Sequence, residues 1–149
     1  MDNVNLNDFS SYKPTGASFC VDANVGLIFD TLNPEFVMTY KNSSGRSKKR
    51  RYRALIKTVG FKFDLGTIRF NFVFFTDSTN DYDESNKILK LDQGIEIGLT
   101  AGPGVGVIYA PFTNAPGGLL IVGWSIGLGG DGFCLVTGGT LTPVDDTDL

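Results

Sequence analysis

Histidine is absent from this 149-residue chain, which removes the commonest general base and the commonest neutral metal ligand. Cysteine is scarce, with only Cys20 and Cys134. Thiols so far apart, each inside an apolar run, read as small buried hydrophobes rather than a disulfide framework. A bridge becomes geometrically possible only if the first and last strands are neighbours. Without a histidine partner neither is an activated nucleophile. No run reaches 18 uninterrupted apolar residues, so no membrane helix is expected. The polar start MDNVNLNDFSSYKPTG lacks the basic beginning and apolar centre of a secretion signal. The cytoplasm is therefore the default expectation, with non-classical secretion as the alternative. Charge of one sign is lacking too: 13 basic against 16 acidic residues leave a net −3, which names no partner.

These gaps exclude most chemistry. Asp22, Asp30, Glu35, Asp64 and Glu96 could supply carboxylates, but no spacing singles out a pair of the glycosidase kind. DYDESN, Asp81–Asn86, starts like a calcium loop but has Asn86 at the sixth position and Asp92 at the twelfth, so it reads as a polar loop. GLGGDG, Gly127–Gly132, has dinucleotide-motif spacing but is followed by the strand-like FCLVTGG, where that motif needs a helix. The chain is expected to be non-enzymatic, with no cofactor and no metal.

What is present is phenylalanine, twelve times, and glycine, nineteen times. Both belong to strands and their bends. Period-two alternation runs through most of the chain. In ASFCVDANVGLIF, Ala17, Phe19, Val21, Ala23, Val25, Leu27 and Phe29 share a face. Phe36, Met38 and Tyr40 mark a short second strand. Leu55, Val59, Phe61, Phe63 and Leu65 fall together with Lys57, and Ile68, Phe70, Phe72 and Phe74 fall together after a plausible turn at Asp64–Thr67. A short strand is expected near Lys87–Leu91. Leu120, Val122, Trp124, Ile126 and Leu128 form another apolar face, and GGDG is expected to turn the chain. No helical period is sustained. The pattern predicts one all-β domain, a small antiparallel barrel of about eight strands, with a β-sandwich as the alternative. Its expected bounds are a flexible lead-in over 1–16, the barrel over 17–143 and an acidic tail over 144–149.

The stretch IEIGLTAGPGVGV is the sharpest clue. Ile95, Ile97, Leu99, Ala101, Pro103, Val105 and Val107 alternate with Glu96, Gly98, Thr100, Gly102, Gly104 and Gly106. Each strand-interior glycine costs about 0.5–1 kcal/mol relative to alanine, so the bare face needs a return. Tight coiling or close approach of another group supplies one. As a single strand, Ile95–Tyr109 would extend about 50 Å, so a break is expected at Gly102–Gly104. In a soluble barrel the oily set points inward. In a membrane barrel it faces lipid, and Asp22, Asn24, Lys62, Asp64, Arg69 and Asn71 face the lumen. Lys57 on the oily side, uneven strand lengths and the lack of aromatic girdles favour the soluble arrangement, with Trp124 in its core.

RSKKRRYR places Arg46, Lys48, Lys49, Arg50, Arg51 and Arg53 in one hairpin. Such a cluster suits an anionic lipid surface or another polyanion. Nucleic acid is disfavoured because few aromatics interleave with the charges. The preferred reading is a non-enzymatic interaction protein engaging an anionic surface through residues 46–53. A rival is a carrier holding an apolar small molecule inside the barrel, with Phe61, Phe63 and Trp124 as candidate contacts. A second rival is a membrane-embedded barrel. FKFDLGTIRFNFVFFTDS, with the glycine-dense half after it, resembles the glycine-rich eight-stranded barrels of the virulence-associated Vap proteins over less than a third of the chain. That resemblance implies a secreted, non-catalytic barrel.

Overall fold

The computed structural model describes the backbone of residues 11–24, 29–100 and 104–147, and within these the side chains of 11–17, 31–60, 70–98, 104–124 and 134–144. Its elements are β1 (Lys13–Asn24), β2 (Phe29–Leu32), β3 (Glu35–Lys41), β4 (Ser47–Phe75), β5 (Leu89–Leu91), β6 (Gly94–Thr100), β7 (Gly104–Pro111) and β8 (Gly118–Thr147). All pairings are antiparallel, and no helix occurs among the described residues.

β4 and β8 are the frame, paired from Lys49↔Thr147 to Phe75↔Leu119. Along the free edge of β4 lie β3, β2 and then β1, end to end. Along the free edge of β8 lie β5, β6 and then β7. Drawn straight, the 29 residues of β4 would reach about 95 Å. They do not run straight. Gly16 pairs with Thr39, Thr39 pairs with Lys49 near the start of β4, and a Cβ at Gly16 would stand 3.1 Å from the ring of Phe74 near its end. The long ribbon is folded back on itself. β1 on β3 closes one side and β6 on β7 closes the other, giving a barrel-like ring of eight strand segments in one sheet.

The fold-back uses bulges rather than hairpin turns. From Asp64 to Thr67, β4 advances three residues while β8 moves two, Gly129 to Gly127; from Gly60 to Lys62 it advances two while β8 moves three, Cys134 to Asp131. An extra residue on one strand bends and twists the pair. Asp64–Thr67 and GGDG were expected to turn the chain and instead lie inside continuous strands, because bulges and tight turns draw on the same residue types. The Ile95–Tyr109 run is not one strand: β6 and β7 pair antiparallel, with Thr100 opposite Gly104, and residues 101–103, where most of the expected break falls, lie outside the described residues. Both ends of the domain are also longer than expected. Tyr12 is buried and β1 starts at Lys13, while β8 extends to Thr147.

The core sits at the end of the ring away from the Gly60–Lys62 and Asp64–Thr67 bulges. Phe36, Met38 and Tyr40 from β3 meet Tyr52, Ala54 and Ile56 from β4, Leu89 and Leu91 from β5, and Val136 and Leu141 from β8. Ile108, Ala110, Leu119 and Ile121 cover them from the other half. Phe36 stacks on Tyr52 with centroids 5.6 Å apart, and Phe75 meets Tyr52 and Phe112 edge-on. Burial of this kind contributes roughly 1.5–3 kcal/mol per large side chain.

The expected facing of the oily alternation is overturned. Ile95, Ile97, Val105 and Val107 are exposed, while Glu96, Gly98, Gly104 and Ile108 are buried. In β4, Tyr52, Ala54, Ile56 and Thr58 point inward, while Lys57 is exposed with Leu55 and Val59 half-buried beside it. Trp124, expected in the core, is 55% exposed. Period two groups residues by face but carries no information on which face closure will bury. The glycine face is the inner one; at Gly123 close approach is the return, whereas at Gly106 the nearest atom to an added Cβ would be the Ile97 carbonyl at 3.7 Å. A Cβ at Gly123 would collide with the side chain of Asn71 and the carbonyl of Phe70.

Candidate functional site

Nine of the large hydrophobics that remain exposed lie on one stretch of outer surface: Phe70, Phe72, Phe74, Ile95, Ile97, Val105, Val107, Trp124 and Leu135. The register explains why they form a belt. Ile97 pairs with Val107, Val107 with Val122, and Val122 with Phe72. Paired residues in an antiparallel ladder project to the same side, so this is one row across four strands. Ile95, Tyr109, Leu120 and Phe74 make a second row; Val105, Trp124 and Phe70 make a third. Phe72 and Trp124 touch edge to face at 6.0 Å. At strand and residue spacings the rows cover roughly 14 Å by 14 Å between Cα positions, or roughly 500 Å² once side chains reach outward. Monomeric proteins seldom leave such a patch without a use.

The basic hairpin is split by the same pleat. Arg50 is 1% exposed and belongs to the interior. Its Nη1 donates to the Tyr82 carbonyl (2.5 Å) and to Ser85 Oγ (3.3 Å), and its guanidinium lies 3.8 Å from the centroid of the Tyr82 ring. Desolvation pulls the Arg50 pKa down, but the hydrogen bond to Tyr52 and the nearby tyrosines outweigh it, and the net shift is upward. Arg50 is therefore not an anion contact, because its even position in β4 turns it toward the core with Tyr52. Lys48, on the same side but at the rim, holds its Nζ 4.7 Å from the Tyr12 ring and 4.9 Å from the Tyr82 ring. Lys49, Arg51 and Arg53 take the odd positions and project outward with exposed Lys57. Arg53 is 3.5 Å from Glu35 across β3, an exposed pair of little energetic weight. Arg46 sits in the turn, where its N–H donates to Asn42 Oδ1.

Sequence reasoning had no signal for the polar knot behind this hairpin. Tyr40 and Tyr52 hydroxyls lie 2.8 Å apart, Tyr40 reaches Ser85 Oγ at 2.9 Å, and Tyr52 donates to the Ser85 carbonyl. Burial, followed by the charge interaction with Tyr52, pushes the Tyr40 phenol well above its ordinary range. The loop 76–88 is thereby tied over the end of the ring. Within it Asp81 Oδ1 accepts the Glu84 N–H as a turn cap, and Thr79 hydrogen bonds hold the Asp77 carboxyl below its usual pKa. No group of three His, Cys, Asp or Glu suited to a metal ion occurs among the described residues.

The remaining candidates are dispersed. Phe61 and Phe63 have side chains outside the described set, and Trp124 faces away from the interior where an apolar cargo would sit. Near the bulges the inner face carries Thr58, Asn71, Glu96 and Cys134. Cys134 is a buried thiol, in register with Gly60 and Glu96 rather than with β1; the side chain of Cys20 lies outside the described set. Asp145 and Asp146, expected in a loose tail, are in register with Arg51 and Arg50.

The apolar belt and the outward basic row meet at one place. A groove of about 430 Å³ there is lined by Thr15, Gly16 and Ala17 of β1, Val37 and Thr39 of β3, and Lys49, Phe72 and Phe74 of β4. No known protein family matches the chain, and no curated protein or solved structure shows significant similarity to it.

Proposed function

We propose that this chain is a non-enzymatic interaction protein that docks on an anionic membrane surface with the outer face of its ring. The observation that supports this most is the aromatic belt of Phe70, Phe72, Phe74 and Trp124 standing outward and meeting Lys49 in one groove, with Arg51 and Arg53 at the next odd positions of the same strand. Hydrocarbon that enters the headgroup region, flanked by cations that stay in it, is the composition of interfacial binding. Each basic residue near an anionic leaflet adds about 1 kcal/mol. Two alternatives fit less well. A spanning barrel needs an outward apolar band about 25 Å tall around every strand, whereas β3 and the first part of β4 expose Glu35, Lys41, Arg53 and Lys57. A stable dimer buries about 800 Å² per partner, more than the belt offers.

The chain's one tryptophan, Trp124, reports on the belt directly. Vesicles of phosphatidylglycerol and phosphatidylcholine should shift its emission to shorter wavelength. Binding should weaken as salt rises and should be reduced by Lys49→Gln, Arg51→Gln and Arg53→Gln combined. Pure phosphatidylcholine should bind weakly. Absent binding at low salt, or binding that leaves Trp124 emission unchanged, would overturn the proposal.

A further inference from the structure

The groove between the belt and the basic row has two chemically distinct ends. Phe72 and Phe74 form an apolar end, exposed to 43% and 39%. Lys49 and the side chain of Thr39 form a polar end. The register creates it: β1 leaves β3 after Gly16 and joins the end of β4 from Ala17 onward, with a bulge between Pro14 and Gly16. Gly16 has φ +120°, which glycine adopts without strain, and a Cβ there would press on the Phe74 ring. Thr15 Oγ1 donates to the Thr39 carbonyl at 3.0 Å, so its hydroxyl proton pins the groove wall and the Thr39 hydroxyl and Lys49 ammonium remain as donors.

We infer that this groove seats one anionic glycerophospholipid, with its phosphate on Lys49 and Thr39 and its glycerol and first acyl carbons on Phe72 and Phe74. The inference rests on the membrane-docking reading and names the molecule that reading leaves general. Two features select this occupant. A cation beside a hydroxyl donor complements a phosphodiester. The apolar end is continuous with the belt, so an acyl chain leaving the groove runs onto hydrocarbon instead of into water.

The test uses the full chain, isotope-labelled, and dihexanoyl phosphatidylglycerol below its micelle concentration. Saturable amide shifts are expected at Thr15–Ala17, Thr39, Lys49 and Phe72–Phe74. Lys49→Gln should weaken binding about fivefold, and Thr39→Trp, which fills the groove from an outward strand position, should abolish it. Thr39→Trp, which removes no cation and no belt residue, should keep vesicle binding within about threefold, whereas Lys49→Gln should lower vesicle binding about fivefold as well, as loss of one cation of the row does. Vesicle binding without shifts in the groove overturns the seat and leaves surface docking standing. Equal affinity for inorganic phosphate or for dihexanoyl phosphatidylcholine also overturns it. A wild-type chain that binds neither vesicles nor the short-chain lipid overturns both readings.

Discussion

β3 and the first half of β4 turn Phe36, Tyr40, Tyr52 and Ile56 inward and leave Glu35, Arg53 and Lys57 in solvent. The second half of β4, with β6, β7 and the start of β8, adds Val73, Ile108, Leu119 and Ile121 to that core but also stands Phe72, Ile97, Val105 and Trp124 outside and lines the rest of its inner face with Gly98, Gly104 and Gly123. One continuous strand carries both arrangements. The parity of its inward residues changes between Thr58 and Asn71, where the bulges add odd residues. The first region holds the fold together. In the second, glycine gives up burial and permits close approach, while hydrocarbon is left on the outer surface. A chain of marginal stability carries such a surface only because the other end supplies the core.

The sharpest way to break this contrast is a matched pair of truncations. Ile56→Ala, at a fully buried site, is expected to cost about 2–5 kcal/mol. Trp124→Ser should change stability by less than about 0.5 kcal/mol while reducing vesicle binding. Denaturant unfolding of both variants checks it; comparable losses would mean that the belt is packed in solution. The basic hairpin offers a second pair. Arg50→Met removes charged hydrogen bonds in the interior and should cost about 1.5–3 kcal/mol, whereas Arg53→Met, two residues on and exposed, should cost at most about 1 kcal/mol. If Arg53→Met proves as costly, the pleat assignment of this strand is wrong.

Alkaline unfolding sharpens the comparison further. The folded-state pKa of Tyr40 is raised above its ordinary 10.0, chiefly by burial. A raised pKa means the unfolded chain loses this proton first. The stabilisation is therefore complete below pH 10 and is lost progressively as pH rises above it. Tyr40→Phe should flatten that decline in unfolding free energy measured between pH 9 and about 11, and an unchanged slope would remove Tyr40 from the account. The smallest expected effect lies at the end of β8. Asp145→Asn with Asp146→Asn removes carboxylates in register with Arg51 and Arg50, and should tighten binding to anionic vesicles by a few-fold. Weaker binding would show that the acidic end supports the basic row rather than offsetting it.

Much of this was legible in the residues. Alternation identified strands and such face-sharing sets as Phe36, Met38 and Tyr40 or Ile95, Ile97, Val105 and Val107, since side-chain direction along a strand is a local property. The basic run was visible, but its division into Lys49, Arg51 and Arg53 outside and Arg50 inside was not, because that depends on which side of β4 is covered. The knot of Tyr40, Tyr52, Arg50 and Ser85 joins positions up to 45 residues apart, and no local pattern marks it. The groove needs the start of β1, the middle of β3 and both ends of β4 in one place.

The amino-acid order by itself determined that this chain forms antiparallel strands with one oily and one spare flank, because pleating sorts neighbours left and right wherever the strand ends up. Only the tertiary structure decided which flank is covered. That choice depends on the ribbon doubling back and closing β1 onto β3 and β6 onto β7, and closure is a long-range event that short-range periodicity does not encode.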